Sequence, residues 1–300
     1  MKRIFIGGIG RSGTTITLNA LYNHDHVLAF PVETKFLVEE DGFAALISAL
    51  TTEFSVAGSA SAIKRFENLM RNRVTGIEHS KFMLQHELPI SLFNHYGEAL
   101  DEFLRLVTTK YFFDDPAPLL AATRRFVNTT FDDAARAHGY STWAEKTPSN
   151  IWRIDFLRSL WPDCHIVHCV RDPRDILLSF MQREWLPPNL LDALSIFESI
   201  ASALMKVRRL HQNGRNWTEL RLEGLVADTS GTMDKLASAI GIEPFQDDAK
   251  ALVKDSMRAY YAEKSLPPIN LTPTDRELTM NWLRPAVVEL GYPENWSLSQ

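Results

Sequence analysis

The chain of 300 residues has few cysteines, no basic run and no long apolar stretch, and each shortage closes off a class of protein. Its two cysteines, Cys164 and Cys169, fall on one expected strand. Five residues at about 3.3 Å each set them about 16 Å apart on opposite faces, which is beyond disulfide reach. They read as small buried apolar residues in a chain suited to a reducing compartment, the cytoplasm. No run of Lys or Arg exceeds two residues and the net charge is -5, which excludes a broad nucleic-acid-binding surface but not a local basic pocket. Lys2-Arg3 precedes an apolar stretch, but glycines interrupt it and Arg11 stops it, so it is too short and too polar for a signal peptide. No segment approaches the roughly 20 apolar residues of a membrane span. Internal repeats, low-complexity segments and clusters with metal-ligand spacing are also missing, so no metal is expected.

What remains is ordinary for a soluble globular protein, 45% hydrophobic and 23% charged residues, with ample length for a large core. The informative stretch is the first two dozen residues, MKRIFIGGIGRSGTTITLNALYNH. Ile4, Phe5 and Ile6 form a continuous apolar run that reads as a short buried strand. Gly7, Gly8, Gly10 and Gly13 make a glycine-rich turn, and Leu18 and Leu21 have the spacing of a helix packed on a sheet. Strand, glycine turn, hydroxyl residues and helix together make a phosphate cradle: glycines let backbone N–H groups converge, and the helix N-terminus adds a partial positive charge. Against the pattern G-x-x-x-x-G-K-[ST], Gly8, Gly13 and Thr15 match, but Thr14 occupies the lysine position. The cation is Arg11, inside the turn. The cradle therefore fits an anion without being built for γ-phosphoryl transfer.

Further along, Val27 to Phe30 reads as a second strand, with Glu33 just past its end. From Phe36 to Gly139 the pattern turns helical and aromatic, clearest at 101–107 and 119–137. An insertion of this length is a candidate acceptor-binding subdomain or lid, although most of its aromatics individually suit a core. Alternation of strand and helix then resumes. Strands are expected at 141–145, 164–170 and 217–222, and helices at 150–160, from Pro173, at 190–211, at 229–240 and at 274–290. Asp172 suits an N-cap with Pro173 at the first helical position, and Gly241 suits a helix end. The expected fold is α/β, a mostly parallel central sheet with helices on both faces, in a single domain over 1–300 with a helical insertion at 36–140.

Arg171 ends the 164–170 strand, and Ser179 lies seven residues beyond Asp172, two helical turns on, facing the side where the chain enters. A guanidinium and a hydroxyl there could hold a second phosphate, though such a pair alone carries little information.

Taken together these residues resemble the sulfotransferases that use 3′-phosphoadenosine 5′-phosphosulfate (PAPS). The family's 5′-phosphosulfate loop is similar to Gly10-Arg11-Ser12-Gly13-Thr14-Thr15, and its 3′-phosphate motif to Arg171 and Ser179 in VRDPRDILLSF. WAEKTPSN resembles the E-K-T-P segment of bacterial members. Glu33-Thr34 and Lys146 look like the branch that contains tyrosylprotein sulfotransferases. LRLEGLVAD is a weaker likeness to the family's Y-E-D-L segment, with Leu222 where relatives often have Tyr. The cytosolic branch's R-K-G-x-x-G-x-W segment is missing, with Lys264 and Ser265 as possible replacements.

The resemblance implies a P-loop-like sulfotransferase fold and sulfuryl transfer from PAPS to a hydroxyl acceptor without a metal. Gly10, Arg11, Ser12, Gly13, Thr14 and Thr15 would hold the 5′-phosphosulfate, and Arg171 and Ser179 the 3′-phosphate. Lys146 would stabilise the leaving bridging oxygen and Glu33 would be the general base, with His24, His79 and His86 as rival bases. The aromatic 36–140 region and the negative charge favour a small, partly apolar or glycan-type alcohol as acceptor, with no nucleic-acid partner and no membrane span. Two other readings stay open: a P-loop kinase of a small alcohol or nucleotide, and a non-catalytic nucleotide-binding protein.

Overall fold

The computed structural model describes residues 1–30, 33–75, 95–263 and 269–296. Five strands form one sheet in the order β2-β3-β1-β4-β5: β1 (Lys2–Gly7), β2 (Val27–Ala29), β3 (Thr142–Lys146), β4 (His165–Val170) and β5 (Trp217–Arg221). β3 runs parallel to β1, with Lys2 opposite Thr142 and Ile6 opposite Lys146, and parallel to β2, with Val27 opposite Thr142. Every residue of β3 is buried, as expected for a parallel strand flanked on both edges. The α/β architecture with a parallel sheet and surrounding helices is the one read from the alternation.

By contact density the chain divides into two compact units, residues 1–6 with 24–166, and 7–23 with 167–300. In the first unit the described part of the 36–140 stretch is helical. It comprises α2 (Phe43–Leu50), α3 (Val56–Thr75), α4 (Tyr96–Thr109), α5 (Ala117–Val127) and α6 (Asp133–Ala137). Phe36, Phe43, Phe66, Phe103 and Phe126 bury their rings almost completely and meet edge-on or tilted, with Phe43 4.8 Å from Phe66 and 4.9 Å from Phe103. Most of the region's phenylalanines are therefore core. Among the described residues of the region Phe113 is the exposed exception, packed with Tyr111 against Phe54. The expected helix over 119–137 is interrupted by a single π turn (Asn128–Asp132), which carries the fully buried Asp132. Arg3 pairs with Asp132, and the Trp143 indole N–H donates to it at 2.8 Å, so this buried charge is satisfied from two strands. The expected helix over 150–160 begins instead as a 3-10 turn (Pro148–Trp152) followed by α7 (Ile154–Leu160).

The second unit holds α1 (Thr14–Tyr22), α8 (Pro173–Gln182), α9 (Leu190–His211), α10 (Leu222–Ala227), α11 (Thr229–Ile240), α12 (Asp247–Glu263) and α13 (Pro273–Glu289). Asp172 caps α8 by accepting from the Arg174 N–H at 2.9 Å, with Pro173 first in the helix. Gly241 ends α11 in the left-handed region at φ 72°. Thr272 and Asp275 form a reciprocal capping box at the start of α13. Neither cysteine forms a disulfide and both are buried, and burial pushes the Cys164 thiol up to about 12.

Candidate active site

The turn after β1 is shaped by two glycines in a crowded setting. Gly8 sits at φ 157°, and a Cβ there would lie 2.6 Å from the Cys169 carbonyl oxygen and 2.7 Å from Ser12 Oγ. Gly13 is the N-cap of α1 at φ 96°, where a Cβ would meet Leu222 Cδ1 at 3.0 Å. No side chain caps α1, so the first-turn N–H groups keep their hydrogen-bonding capacity for a ligand. Arg11, between the two glycines, also lies in the left-handed region at φ 71°. A non-glycine residue held there marks a turn whose shape is dictated by its surroundings.

Those surroundings are the elements that carry the second expected motif, within the same unit. Arg11 Nε donates to Ser179 Oγ at 3.0 Å. Arg171 Nη1 donates to the Arg11 carbonyl at 3.4 Å and pairs with Asp175, one turn on, at 3.6 Å. Ser12 Oγ is buried and has no hydrogen-bond partner, a costly state for a hydroxyl that an incoming acceptor atom would relieve. Ser12 and Arg171 line the same narrow cavity together with Cys169. Over Gly10 leans the indole of Trp185, 59% exposed and edge-on to Phe180. Arg11, Ser12, Arg171 and Ser179 are thus gathered around one uncapped helix start: two guanidiniums, a free hydroxyl and unpaired N–H groups, a set that suits anionic oxygens.

The other two expected residues meet in the first unit. Lys146, the last residue of β3, is buried and donates from Nζ to Glu33 Oε1 at 2.6 Å. Glu33 is part-exposed, and Lys35 Nζ lies 3.6 Å from its other oxygen. Next to Lys146, Glu145 is fully buried and accepts from Thr34 Oγ1 at 2.8 Å, from Asn150 Nδ2 at 2.7 Å and from Thr147 Oγ1. Burial pushes its carboxyl upward, against the pull of these donors and of the Lys146 charge.

The model of the sulfotransferase family matches residues 3–247. The chain belongs to the sulfotransferase family. Among curated protein sequences none matches it. Among solved structures it is similar to a sulfotransferase from Mycobacterium avium, at 15% identity and TM-score 0.48 over 97% of this chain and 77% of that one. It is also similar to the sulfotransferase domain of the Synechococcus PCC 7002 olefin synthase, at 16% identity and TM-score 0.45 over 94% of each chain. A retinol dehydratase solved with androsterone and inactive cofactor PAP matches at 14% identity and TM-score 0.41, over 96% of this chain and 81% of that one.

For this sulfotransferase, the rival base His24 is buried in the first unit and accepts the His26 N–H at 3.1 Å through Nδ1. His79, His86, Lys264 and Ser265 lie outside the described residues. Leu222, where relatives often carry Tyr, packs its side chain against Gly13. Sequence reading gives no role to Thr34, Thr147, Asn150, Asp175 or Trp185, although Thr34 stands beside Glu33 and Thr147 and Asn150 fall within the WAEKTPSN stretch that carries the resemblance. Among the described residues no group of His, Cys, Asp and Glu is arranged to hold a metal ion, and no helix is long and apolar enough to cross a membrane.

Proposed function

We propose that the chain transfers a sulfuryl group from PAPS to the hydroxyl of a small, partly apolar or sugar-like acceptor. The observation that carries this reading is the Arg171–Arg11–Ser179 linkage, which brings the 3′-phosphate motif onto the glycine turn. A donor with phosphates at both the 3′ and 5′ positions needs both sets at once, whereas ATP needs only the turn and a lysine that this chain lacks. The fit of the turn to an anion is supported by the unpartnered Ser12 hydroxyl and by the uncapped start of α1.

PAPS supplies an activated sulfuryl group on a phosphate leaving group. In this reading the α1 N–H groups, Arg11, Ser12, Thr14 and Thr15 bind the 5′ end, with Gly10 and Gly13 allowing close approach. Arg171 and Ser179 bind the 3′-phosphate. Glu33 takes the proton from the acceptor hydroxyl as its oxygen bonds to sulfur. Lys146 places its ammonium at the bridging oxygen as the sulfur–oxygen bond to phosphate breaks and charge develops there. The 2.6 Å contact between Glu33 and Lys146 supports a paired role, each holding the other in place before substrate arrives.

The test is transfer from labelled PAPS across phenols, lipid alcohols, sugars and peptides, repeated with Glu33→Ala. Turnover on at least one hydroxyl class is expected in the parent protein. In Glu33→Ala it falls at least about a hundredfold while adenosine 3′,5′-bisphosphate affinity stays within about twofold. Thermal stabilisation by ATP with Mg²⁺ and none by the bisphosphate would replace this reading with a kinase. Bisphosphate binding without turnover on any acceptor would replace it with a non-catalytic nucleotide-binding protein.

A further inference from the structure

Three consecutive residues after β2 grip three consecutive residues at the end of β3. Lys146 Nζ donates to Glu33 at 2.6 Å, Thr34 Oγ1 donates to Glu145 Oε1 at 2.8 Å, and the Lys35 N–H donates to Thr147 Oγ1 at 3.2 Å. Glu145 is the hub of this arrangement. Thr147 Oγ1 donates to the same Oε1, and Asn150 Nδ2 donates to Oε2 at 2.7 Å. Asn150 Nδ2 also donates to the Ile6 carbonyl at 3.0 Å, at the end of β1. A single carboxylate therefore ties the 33–35 segment to the ends of two neighbouring strands and to the 3-10 turn.

This arrangement is costly in two respects. A fully buried carboxylate gives up its hydration, and an apolar residue on the Trp143 face of β3 would fill the position at lower free energy. Lys35 is held at φ 64°, in the left-handed region that costs a non-glycine residue about 1 kcal/mol or more. Both costs fall where Glu33 meets Lys146. The donors around Glu145 match the acceptor-only capacity of an ionised carboxylate. A glutamine could satisfy the two threonines through its oxygen, but its NH₂ would face the Asn150 amide, which is already committed to Ile6.

We propose that Glu145 is a positioning residue: through Thr34 it clamps the 33–35 segment against the end of β3 and so sets the Glu33 carboxylate at Lys146. The consequence for turnover rests on the reading of Glu33 as base given above. Glu145 itself, being fully buried, acts only through this clamp.

The test uses Glu145→Gln, Thr34→Val and Thr34→Ser in the full chain, with two readouts. Amide hydrogen exchange at 33–36, measured on the ligand-free protein, is expected to rise about tenfold in Thr34→Val and Glu145→Gln, the effect of losing one buried hydrogen bond. Thr34→Ser should restore protection, and the melting temperature of Thr34→Val should stay close to that of the parent. Unchanged exchange in Thr34→Val overturns the clamp, and this variant decides the matter even where Glu145→Gln folds poorly. With labelled PAPS and the acceptor found in the screen, kcat should fall about 10- to 100-fold in Thr34→Val and Glu145→Gln, with bisphosphate affinity within about twofold. In a Glu33→Gln background the same substitutions should add nothing, and full additivity overturns the positioning role. Raised exchange combined with full turnover in Glu33→Gln would keep the clamp and remove Glu33 as base, so the two readings fail separately.

Discussion

Lys146, Glu145 and His165 are all buried ionisable side chains, and each pays for its burial differently. Lys146 carries a directly bonded carboxylate, and Glu145 is held by three neutral donors. His165, on β4, stays neutral instead: burial, with the Lys2 charge added to it, pushes it down to about 4. Burial also lowers the fully buried His168, against the opposing pull of Glu219. The sign follows from linkage. An unfolded histidine titrates near 6.5, so below that pH the unfolded chain binds protons that the folded chain refuses. Stability from His165 is complete above pH 6.5 and is lost as pH falls toward 4. Between pH 6.5 and 4.5 His165 should cost about 2 kcal/mol. Urea unfolding across that range should show His165→Gln with a slope shallower by one proton, and an unchanged slope would contradict the assignment.

At the scale of single elements, the β1–α1 turn is the one whose shape depends most on missing side chains. Gly8→Ala would drive a Cβ to 2.6 Å from the Cys169 carbonyl, a backbone atom that cannot swing away. The expected cost is about 1–3 kcal/mol of stability, together with weaker binding of adenosine 3′,5′-bisphosphate. Gly97→Ala, in α4 with nothing within 4 Å of the added atom, should instead raise stability by about 0.5–1 kcal/mol. Thermal melts of the two variants check both signs. Much at this scale was legible in the sequence, because its signals are local. The Asp172-Pro173 start, Gly241 at the end of α11 and the apolar run of β4 need no knowledge of neighbours. What was missed depends on neighbours. Among the described side chains of α12, Ala249, Val253 and Met257 turn inward, a stripe too thin to stand out. The π turn at 128–132 breaks a helical pattern because it carries Asp132, which Arg3 and Trp143 bind from two strands. The burial of Glu145 is not legible locally, because β3 becomes an interior strand only once β1 and β2 flank it.

At the scale of the whole molecule, the site motifs depend on sequence-distant braces. In the second unit Arg174, 1% exposed, forks onto Asp172 at 2.6 and 2.9 Å and reaches the Pro293 carbonyl at 2.9 Å, with Trp296 beneath its guanidinium. The Trp296 indole N–H donates to Asp175, the partner of Arg171, and Tyr292 donates to Glu223, which accepts the Asp172 N–H. The segment over 292–296 thereby fixes the start of α8, the helix that presents Arg171 and Ser179. Removing one partner of such a buried pair leaves the other unpaired. Arg174→Ala should therefore cost about 3–5 kcal/mol and weaken bisphosphate binding although Arg174 is not assigned to the ligand. Denaturant unfolding and calorimetry check the two effects, and a loss of affinity without a loss of stability would contradict the brace. The outer braces could not be read from VRDPRDILLSF, because Met280, Pro293 and Trp296 lie more than a hundred residues from Arg174.

The central claim is that the glycine turn and the Arg171–Ser179 pair bind two phosphates of one adenosine. Isothermal titration of the parent protein and Arg171→Ala with adenosine 3′,5′-bisphosphate and with 5′-AMP tests it most directly. The parent protein should prefer the bisphosphate by at least about tenfold, the worth of one charge-assisted contact, and Arg171→Ala should abolish most of that preference, with a much smaller loss of 5′-AMP binding from the lost contact to the Arg11 carbonyl. Equal affinity for the two nucleotides, or a preference that survives the loss of Arg171, would contradict it.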